Sequence, residues 1–299
     1  MAASVSSSVP ARLDSNIKLD RLFVPVDFFP LSERAVGYAR RIAERHDAEL
    51  ILAHVSQPVS PMAVPEAAWY HLEAAQNKEL QQLEQMGARL RSEGIRARTV
   101  ALSGLLQDEI PCCSKRECSD LIVLGADINS GIERLLFGCD SEVLLRHAGC
   151  PVMVIGPNAR PVPDREWHPR DILCTTDLKP QTAKAAAFAW RLAQKYDAGF
   201  TLLHVEGRIP KSYADARQTF QRAVAELLQD GEKAVPQIEI VPAQHGTCAT
   251  IIAEAAKHKS DFIVMGAQAC SHAATRLQRG TATQVISNAP CPVLVLQTH

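Results

Sequence analysis

The stretch that decides the fold is LFVPVDFFPLSERAVGYARRIAERHDAELILAHV, residues 22–55, because it returns as ILCTTDLKPQTAKAAAFAWRLAQKYDAGFTLLHV at residues 172–205. The offset is 150 residues, so Asp27 matches Asp177 and His54 matches His204. Further along, DLIVLGA from residue 120 returns as DFIVMGA from residue 261, at an offset of 141. A repeat of this length indicates two copies of one domain in the chain of 299 residues.

The repeat also predicts the domain borders. The Ser-rich residues 1–20 lack a signal-peptide pattern, and we interpret them as a flexible tail. The first copy is expected over 21–156 and the second over 171–299, joined by a linker at 157–170 that contains four prolines. The second copy is shorter in its second helical region.

Strands and helices alternate in each copy. The predicted strands of the first copy are short and β-branched, as buried parallel strands should be, and they cover Leu22–Val26, Leu50–Val55, Leu121–Leu124 and Val152–Ile155. This order predicts an α/β fold, a doubly wound, Rossmann-like, mostly parallel sheet of five strands per copy. Ligands are expected at the carboxyl ends of the strands, where the strand order reverses.

Two helical regions have recognisable signals. Ser32 and its repeat partner Thr182 are suited to the N-cap position of the first helix of each copy. The region from Glu66 to Arg91 shows helical spacing of apolar residues, and its counterpart runs from Tyr213 to Leu228. The apolar positions of the longer region are Leu72, Ala75, Leu80, Leu83, Met86 and Leu90.

Composition excludes several classes of protein. The formal net charge is −1, which disfavours general nucleic-acid binding. The longest apolar run is short, about that of Ala185 to Trp190, so no membrane span is expected. Nine cysteines without C-x-x-C pairs indicate a reducing, cytoplasmic location.

The order of motifs resembles the universal stress protein family. The residues that carry the resemblance are VPVD at the first strand, HV at the end of the second, DLIVLG, then GIERLLFG and LLRHAGCPVMVI, and related motifs recur in the second copy. The resemblance covers residues 20–299. It implies that the two copies form an internal pseudo-dimer through their last strands, Val152–Ile155 and Val293–Leu296, which also removes two aggregation-prone edges.

The resemblance further implies an adenine-nucleotide site, with ATP or another adenine nucleotide as its cofactor. Binders in this family share a loop of the form G-x-x-G-x(9)-G-[ST], in which glycines let backbone N–H groups approach phosphates. The resemblance also implies that an aspartate lies near the nucleoside, that a valine lines the adenine slot, and that the glycines and the last residue of the loop lie near the phosphates. The candidate residues are Asp27, Val55, Gly125, Gly138 and Cys139 in the first copy, and Asp177, Val205, Gly266, Gly280 and Thr281 in the second.

Both loops depart from that pattern. In the first copy Ile128 replaces the second glycine and Cys139 replaces the hydroxyl residue. The second copy has Ala269 at the second glycine and one extra residue before Gly280. We therefore expect degenerate nucleotide pockets in a non-enzymatic, stress-response regulatory protein with an unknown protein partner. A scaffold that binds no nucleotide is the alternative, and a slow ATPase is a weaker one.

Other residues have structural interpretations that compete with functional ones. Asp27 and Asp177 are equally suited to capping the next turn as to contacting a ligand. His54 and His204 are expected to be hydrogen-bonded residues at strand ends, and Arg134 and Arg146 to be exposed helical arginines. The cysteines at 112, 113, 118, 150 and 291 are expected to be buried, packed thiols, and no metal site is predicted.

Overall fold

A computed structural model describes residues 17–56, 66–126, 147–162, 168–206, 213–228, 237–243, 245–268 and 280–298. The strands are β1 Arg21–Pro25, β2 Glu49–Ser56, β3 Ala97–Ser103, β4 Leu121–Gly125, β5 Val152–Ile155, β6 Asp171–Thr175, β7 Gly199–Glu206, β8 Ile238–Pro242, β9 Phe262–Gln268 and β10 Val293–Thr298. The helices are α1 Pro30–His46, α2 Glu66–Ser92, α3 Leu106–Arg116, α4 Ala183–Tyr196, α5 Tyr213–Leu227, α6 Thr247–His258 and α7 Thr281–Asn288.

The ten strands found among the described residues form one sheet in the order β3-β2-β1-β4-β5-β10-β9-β6-β7-β8. Within each half the strands are parallel, and the halves meet where β5 pairs antiparallel with β10. Val293 lies opposite Val154, and Val295 lies opposite Val152. The expected α/β fold with a five-stranded sheet per copy and the pairing of the last strands are confirmed.

The sheet is covered on both faces, which explains its continuous apolar strands. Neighbouring residues of β1 point to opposite layers, since Leu22 and Val24 pack with one core and Phe23 packs with the other. Side chains of α1, α2, α4 and α5 belong to the first core, and those of α3, α6 and α7 belong to the second. The molecule therefore has three layers: the sheet lies between two layers of helices, and the strand ends lie along the open edges between them.

The predicted N-cap is wrong for Ser32, whereas Thr182 does occupy the N-cap position of its helix but makes no capping hydrogen bond. Helix α1 begins at Pro30, one turn earlier than a Ser32 cap requires, and Ser32 Oγ donates to the carbonyl of Phe29 at 3.0 Å. Proline at the first helical position fixes this start. Thr182 does precede α4, but it closes a short 3₁₀ turn over Pro180–Thr182, and its hydroxyl donates to the carbonyl of Lys179 at 2.9 Å.

The second helical region is shorter in the second copy, as expected: α2 has 27 residues and α5 has 15. Only the carboxyl-terminal half of α2 packs on the sheet, where Leu83, Met86 and Leu90 are buried. Ala75 and Leu80 are exposed. The apolar stripe therefore predicted the helix correctly and overstated the length of its contact with the core.

Two connecting segments are packed against the body of the protein. Residues 17–20, expected to belong to the tail, contain a buried Leu19, because Asp120 Oδ2 accepts the N–H groups of Asp20 and Arg21 and holds this segment on the domain. In the linker, the carbonyl of Arg160 accepts a hydrogen bond from Tyr38 at 2.9 Å, and its N–H donates to Pro290 at 3.0 Å. The linker thus contacts both copies.

Among the described residues, no helix combines the length and apolar character needed to cross a membrane.

Candidate functional site

The carboxyl edge of the sheet gathers the predicted site residues of each copy. In the first copy, β1 lies between β2 and β4, which is the position where the strand order reverses. Asp27 follows β1, Val55 lies near the end of β2, and Gly125 ends β4. The second copy repeats this arrangement with Asp177, Val205 and Gly266 on β6, β7 and β9 or directly after them. The topology therefore creates one equivalent crevice per copy.

Each aspartate forms a tight turn into the first helix. Asp27 Oδ1 accepts the N–H of Phe29 at 2.9 Å, and Asp177 Oδ1 accepts the N–H of Lys179 at 3.1 Å. The residue between them is left-handed in both copies, with φ of 64° at Phe28 and 61° at Leu178. Such values are unfavourable for large side chains, so the aspartate hydrogen bonds help to hold this turn. The expectation that the two aspartates cap the next turn is therefore met by these hydrogen bonds.

The two turns differ in charge. Asp177 Oδ2 lies 2.9 Å from Lys179 Nζ, whereas the first copy has Phe29 at the position of Lys179. Burial alone would raise the pKa of Asp177, but the hydrogen bonds and positive charge of Lys179 outweigh it and lower that pKa below its ordinary value. The second copy thus presents an anionic carboxylate and a half-exposed ammonium group, and the first presents an exposed aromatic ring. Lys179 was not among the predicted site residues, although its place two residues after Asp177 was visible in the sequence.

The strand-end histidines are structural, as expected. His54 Nδ1 lies 2.7 Å from the carbonyl of Val26, and His204 Nδ1 lies 2.8 Å from the carbonyl of Thr176. A carbonyl only accepts, so Nδ1 is the donor in both rings. Each histidine joins neighbouring strands at the crevice, and its Nδ1 is used in that bond. The ring of Phe28 packs 4.9 Å from that of His54.

Gly125 permits a close approach of backbone segments. A β-carbon at this position would lie 2.2 Å from the carbonyl oxygen of Leu31 and 2.7 Å from the nitrogen of Ser32. No side chain can be accommodated at such distances, so α1 can begin against the end of β4 only because residue 125 is glycine. This packing role is separate from the phosphate-binding role that the resemblance to the family implies for Gly125.

In the second copy, Gly280 and Thr281 open helix α7. Gly280 is its N-cap, without a side-chain capping bond, and both residues are exposed. Helices of a doubly wound sheet run antiparallel to its strands, so the amino end of α7 faces the carboxyl edge that carries Asp177. The N–H groups of the first turn and the Thr281 hydroxyl are suited to an anion at that edge.

The connecting loops lie outside the described residues. These loops contain Gly138 and Cys139 of the predicted site, Ile128 and Ala269 of the degenerate motifs, and the arginines Arg134 and Arg146.

The cysteine predictions are right in part. Cys113 is buried, and burial raises its pKa, but Cys112 and Cys118 are exposed. Helix α3 includes Pro111, and its orientation leaves Cys112 on the solvent side and buries Cys113, while Cys118 lies beyond the end of the helix with φ of 50°. Cys291 is buried as predicted and Cys150 is half-buried, and burial raises the pKa values of Cys150 and Cys291 to about 11 and about 12.

Comparison with known proteins gives consistent matches. A sequence model described as the Universal stress protein family matches residues 18–156 and 169–297. A universal stress protein of Mycolicibacterium smegmatis is 25% identical over 296 residues, which cover 92% of this chain and 96% of that protein. One from Methanocaldococcus jannaschii is 30% identical over 138 residues, covering 45% of this chain and 81% of that protein. The crystal structure of a universal stress protein from Archaeoglobus fulgidus superposes with a TM-score of 0.69 at 19% identity, covering 95% of this chain and 98% of that one.

Proposed function

Because the chain belongs to the universal stress protein family and contains two of its domains, we propose that it is a non-enzymatic regulatory protein that binds an adenine nucleotide. Occupancy of the nucleotide pocket would alter a surface that the protein presents to a protein partner. The observation that carries the proposal is the opening of α7 at Gly280 and Thr281, which are exposed and without a side-chain cap, at the edge of the sheet where Asp177 follows β6.

The second copy offers the better anion site of the two. An amino-terminal helix turn attracts a phosphate through its N–H groups and dipole. Lys179 Nζ lies 2.9 Å from Asp177 Oδ2 on an exposed side chain, so it can turn toward a phosphate without leaving a buried charge behind. In the first copy Phe29 stands in its place, and the loop carries Ile128 and Cys139 instead of glycine and a hydroxyl residue. We therefore expect nucleotide chiefly in the second copy.

The alternative, a scaffold without nucleotide, is favoured by one set of contacts. Both aspartates already accept backbone hydrogen bonds of their own turns, and Gly125 is packed against the backbone of Leu31. In a scaffold these residues need no ligand to account for them. The two functions therefore differ in whether the Gly280–Thr281 turn is used.

Calorimetric titration with ATP separates them. We expect weak, saturable binding by the full chain, and binding at least fivefold weaker in Thr281→Val, which removes one hydroxyl at the helix start. Thr283→Val on the same helix is the matched control and should bind as the unaltered protein does. Absence of binding by the unaltered protein would support the scaffold without nucleotide. Equal binding by Thr281→Val and Thr283→Val would mean that the nucleotide does not contact the start of α7.

Incubation with ATP and Mg²⁺ tests the absence of turnover. Phosphoryl transfer needs groups that orient water and stabilise charge developing on the phosphates. The loop sequences supply no such set, so hydrolysis should not exceed that of a protein-free control. A protein-dependent rate that Asp27→Ala or Asp177→Ala abolishes would show that the chain is an ATPase.

A further inference from the structure

Three metal-ligating side chains meet at the amino edge of the second copy, away from the Asp177 crevice. Glu239 lies on β8, the outermost strand of the sheet, and Glu254 and His258 lie one turn apart at the end of α6. Their ligand atoms all lie within 4.8 Å of one another. The spacing of four residues places Glu254 and His258 on one face of the helix, facing the strand that carries Glu239.

His258 directs a buried nitrogen toward the two carboxylates. Its Nε2 is inaccessible to solvent and has no hydrogen-bond partner among the described residues. The nearest carboxylate oxygens are Glu254 Oε2 at 3.5 Å and Glu239 Oε2 at 4.0 Å, at or beyond the limit of a hydrogen bond. Buried polar atoms are nearly always satisfied, so this nitrogen points to a missing partner at the centre of the cluster.

The first copy has a cation of its own at the corresponding place. The residues 141 positions before Glu254 and His258 are Cys113 and Glu117. There the guanidinium of Arg98, on β3, is ion-paired with Glu117 and lies 3.1 Å from Glu49. The second copy presents a glutamate, Glu239, from its equivalent strand. Where the first copy has a guanidinium between two glutamates, the second copy has two glutamates and a histidine, and the only cation contacting them among the described residues is the exposed ammonium of Lys257.

We propose that Glu239, Glu254 and His258 bind a divalent transition-metal cation of the Zn²⁺ or Co²⁺ type. One imidazole nitrogen and two carboxylate oxygens form a donor set that such ions accept, and three protein ligands leave further positions for water. Bonds of about 2.0–2.2 Å require ligand atoms roughly 3.3 Å apart, so a small inward movement is needed. Glu239 can supply it because its side chain is 43% exposed.

Lys257 competes with the metal. Its Nζ lies 2.7 Å from Glu254 Oε2, on a side chain that is 61% exposed. Metal binding displaces this ammonium into water, where it loses little. The proposal therefore predicts that Lys257→Ala tightens metal binding, which a purely structural role for the cluster does not predict.

Metal binding would hold the edge strand β8 in place. Strand β8 pairs with β7 on one side only, and the metal would tie it to the end of α6. Because the site is at the opposite edge of the sheet from Gly280 and Thr281, it does not depend on nucleotide binding.

Titration of chelator-treated full-length protein with Co²⁺, followed by absorption, tests the site. We expect saturable d–d bands without the intense thiolate-to-metal band that cysteine ligands produce. Affinity should fall at least tenfold in His258→Gln and in Glu239→Gln, and rise about threefold or more in Lys257→Ala. His245→Gln, an exposed histidine of the same copy, is the matched control and should bind as the unaltered protein does.

If His258→Gln does not fold, Glu239→Gln still tests the site, because Glu239 is an exposed residue of β8 whose change should not disturb folding. A rise in melting temperature with Zn²⁺, present in the unaltered protein and absent in Glu239→Gln, is the second expected result. The proposal is overturned by a thiolate band that accounts for all bound Co²⁺, by an absence of saturable binding, or by equal affinity in the unaltered protein and Glu239→Gln.

Discussion

His46 and Tyr196 occupy the same position of the two repeats, 150 residues apart, and they contact each other, with His46 Nε2 2.8 Å from the Tyr196 hydroxyl. A second such pair exists in the sheet, where Met153 of β5 lies opposite Leu294 of β10 and the two are matched at the offset of 141. Equivalent residues meet in this way only at a twofold axis. The two copies are therefore joined like the subunits of a symmetric dimer, with the axis passing through both pairs.

The strand junction should be energetically coupled across the axis. Met153 and Leu294 are both buried and directly opposite each other, so Met153→Ala and Leu294→Ala should each lower the free energy of unfolding by about 2–4 kcal/mol. In a double-mutant cycle the pair should show a coupling of about 1 kcal/mol. Urea unfolding measures both quantities.

Leu202→Ala provides the comparison for that cycle, since Leu202 is equally buried on β7. Combined with Met153→Ala it should be additive within about 0.5 kcal/mol. Additivity of Met153→Ala with Leu294→Ala would mean that the two halves do not support each other through β5 and β10.

How far the sequence could predict this architecture depends on the range of each signal. Short β-branched runs alternating with helical segments, repeated at two offsets, were enough to predict two parallel sheets of five strands, because this depends on pattern alone. The pairing of β5 with β10 was predicted from the resemblance to the family, and the structure contains it. The helix start at Pro30 and the exposure of Cys112 were missed, because they depend on where the chain turns and how α3 is rotated. The contact of Gly125 with Leu31 is a backbone approach between distant segments, which no local motif encodes.

His46 should make stability depend on pH. Burial, followed by the positive charges of Lys195 and Arg45, lowers the pKa of His46 to about 4, and the opposing effect of Asp20 is smaller. Between pH 6.5 and 4, His46 binds a proton in the unfolded chain but not in the folded chain. The free energy of unfolding therefore falls as the pH falls. Above pH 6.5 this group contributes no pH dependence.

The measurement is urea unfolding at a series of pH values, comparing the unaltered protein with His46→Gln. The unfolding free energy of the unaltered protein minus that of His46→Gln should decline as the pH is lowered from 6.5 to 4. Above pH 6.5 this difference should stay constant. His71→Gln changes an exposed histidine on α2 and should leave the pH profile of the unaltered protein intact. A constant difference across the whole range would show that His46 titrates normally in the folded protein.

Gly125→Ala should destabilise the fold itself. The added carbon would lie 2.2 Å from the carbonyl oxygen of Leu31, a backbone atom that cannot move alone, so we expect a loss of about 3 kcal/mol in the free energy of unfolding. Gly149→Ala is the matched control, because its new carbon meets only the flexible side chain of Lys115, at 3.0 Å. If Gly125→Ala instead unfolded like the unaltered protein, glycine at 125 would have no packing role.

Restoring the motif of the first copy should strengthen nucleotide binding there. Ile128→Gly lets the backbone approach a phosphate, and Cys139→Ser supplies a hydroxyl donor where the motif has one. Each change is expected to contribute about 1 kcal/mol, so the double variant should bind ATP roughly tenfold to thirtyfold more tightly in the first copy.

Calorimetry in a Thr281→Val background isolates that first site, because the second is already weakened. Adding Asp27→Asn to the restored chain should reverse part of the gain if the aspartate contacts the nucleoside as well as the N–H of Phe29. The same affinity with and without the two restoring changes would mean that the first crevice is closed by something other than its loop sequence. In that case the aromatic turn at Phe28 and Phe29, which replaces Leu178 and Lys179 of the second copy, would be the next feature to exchange.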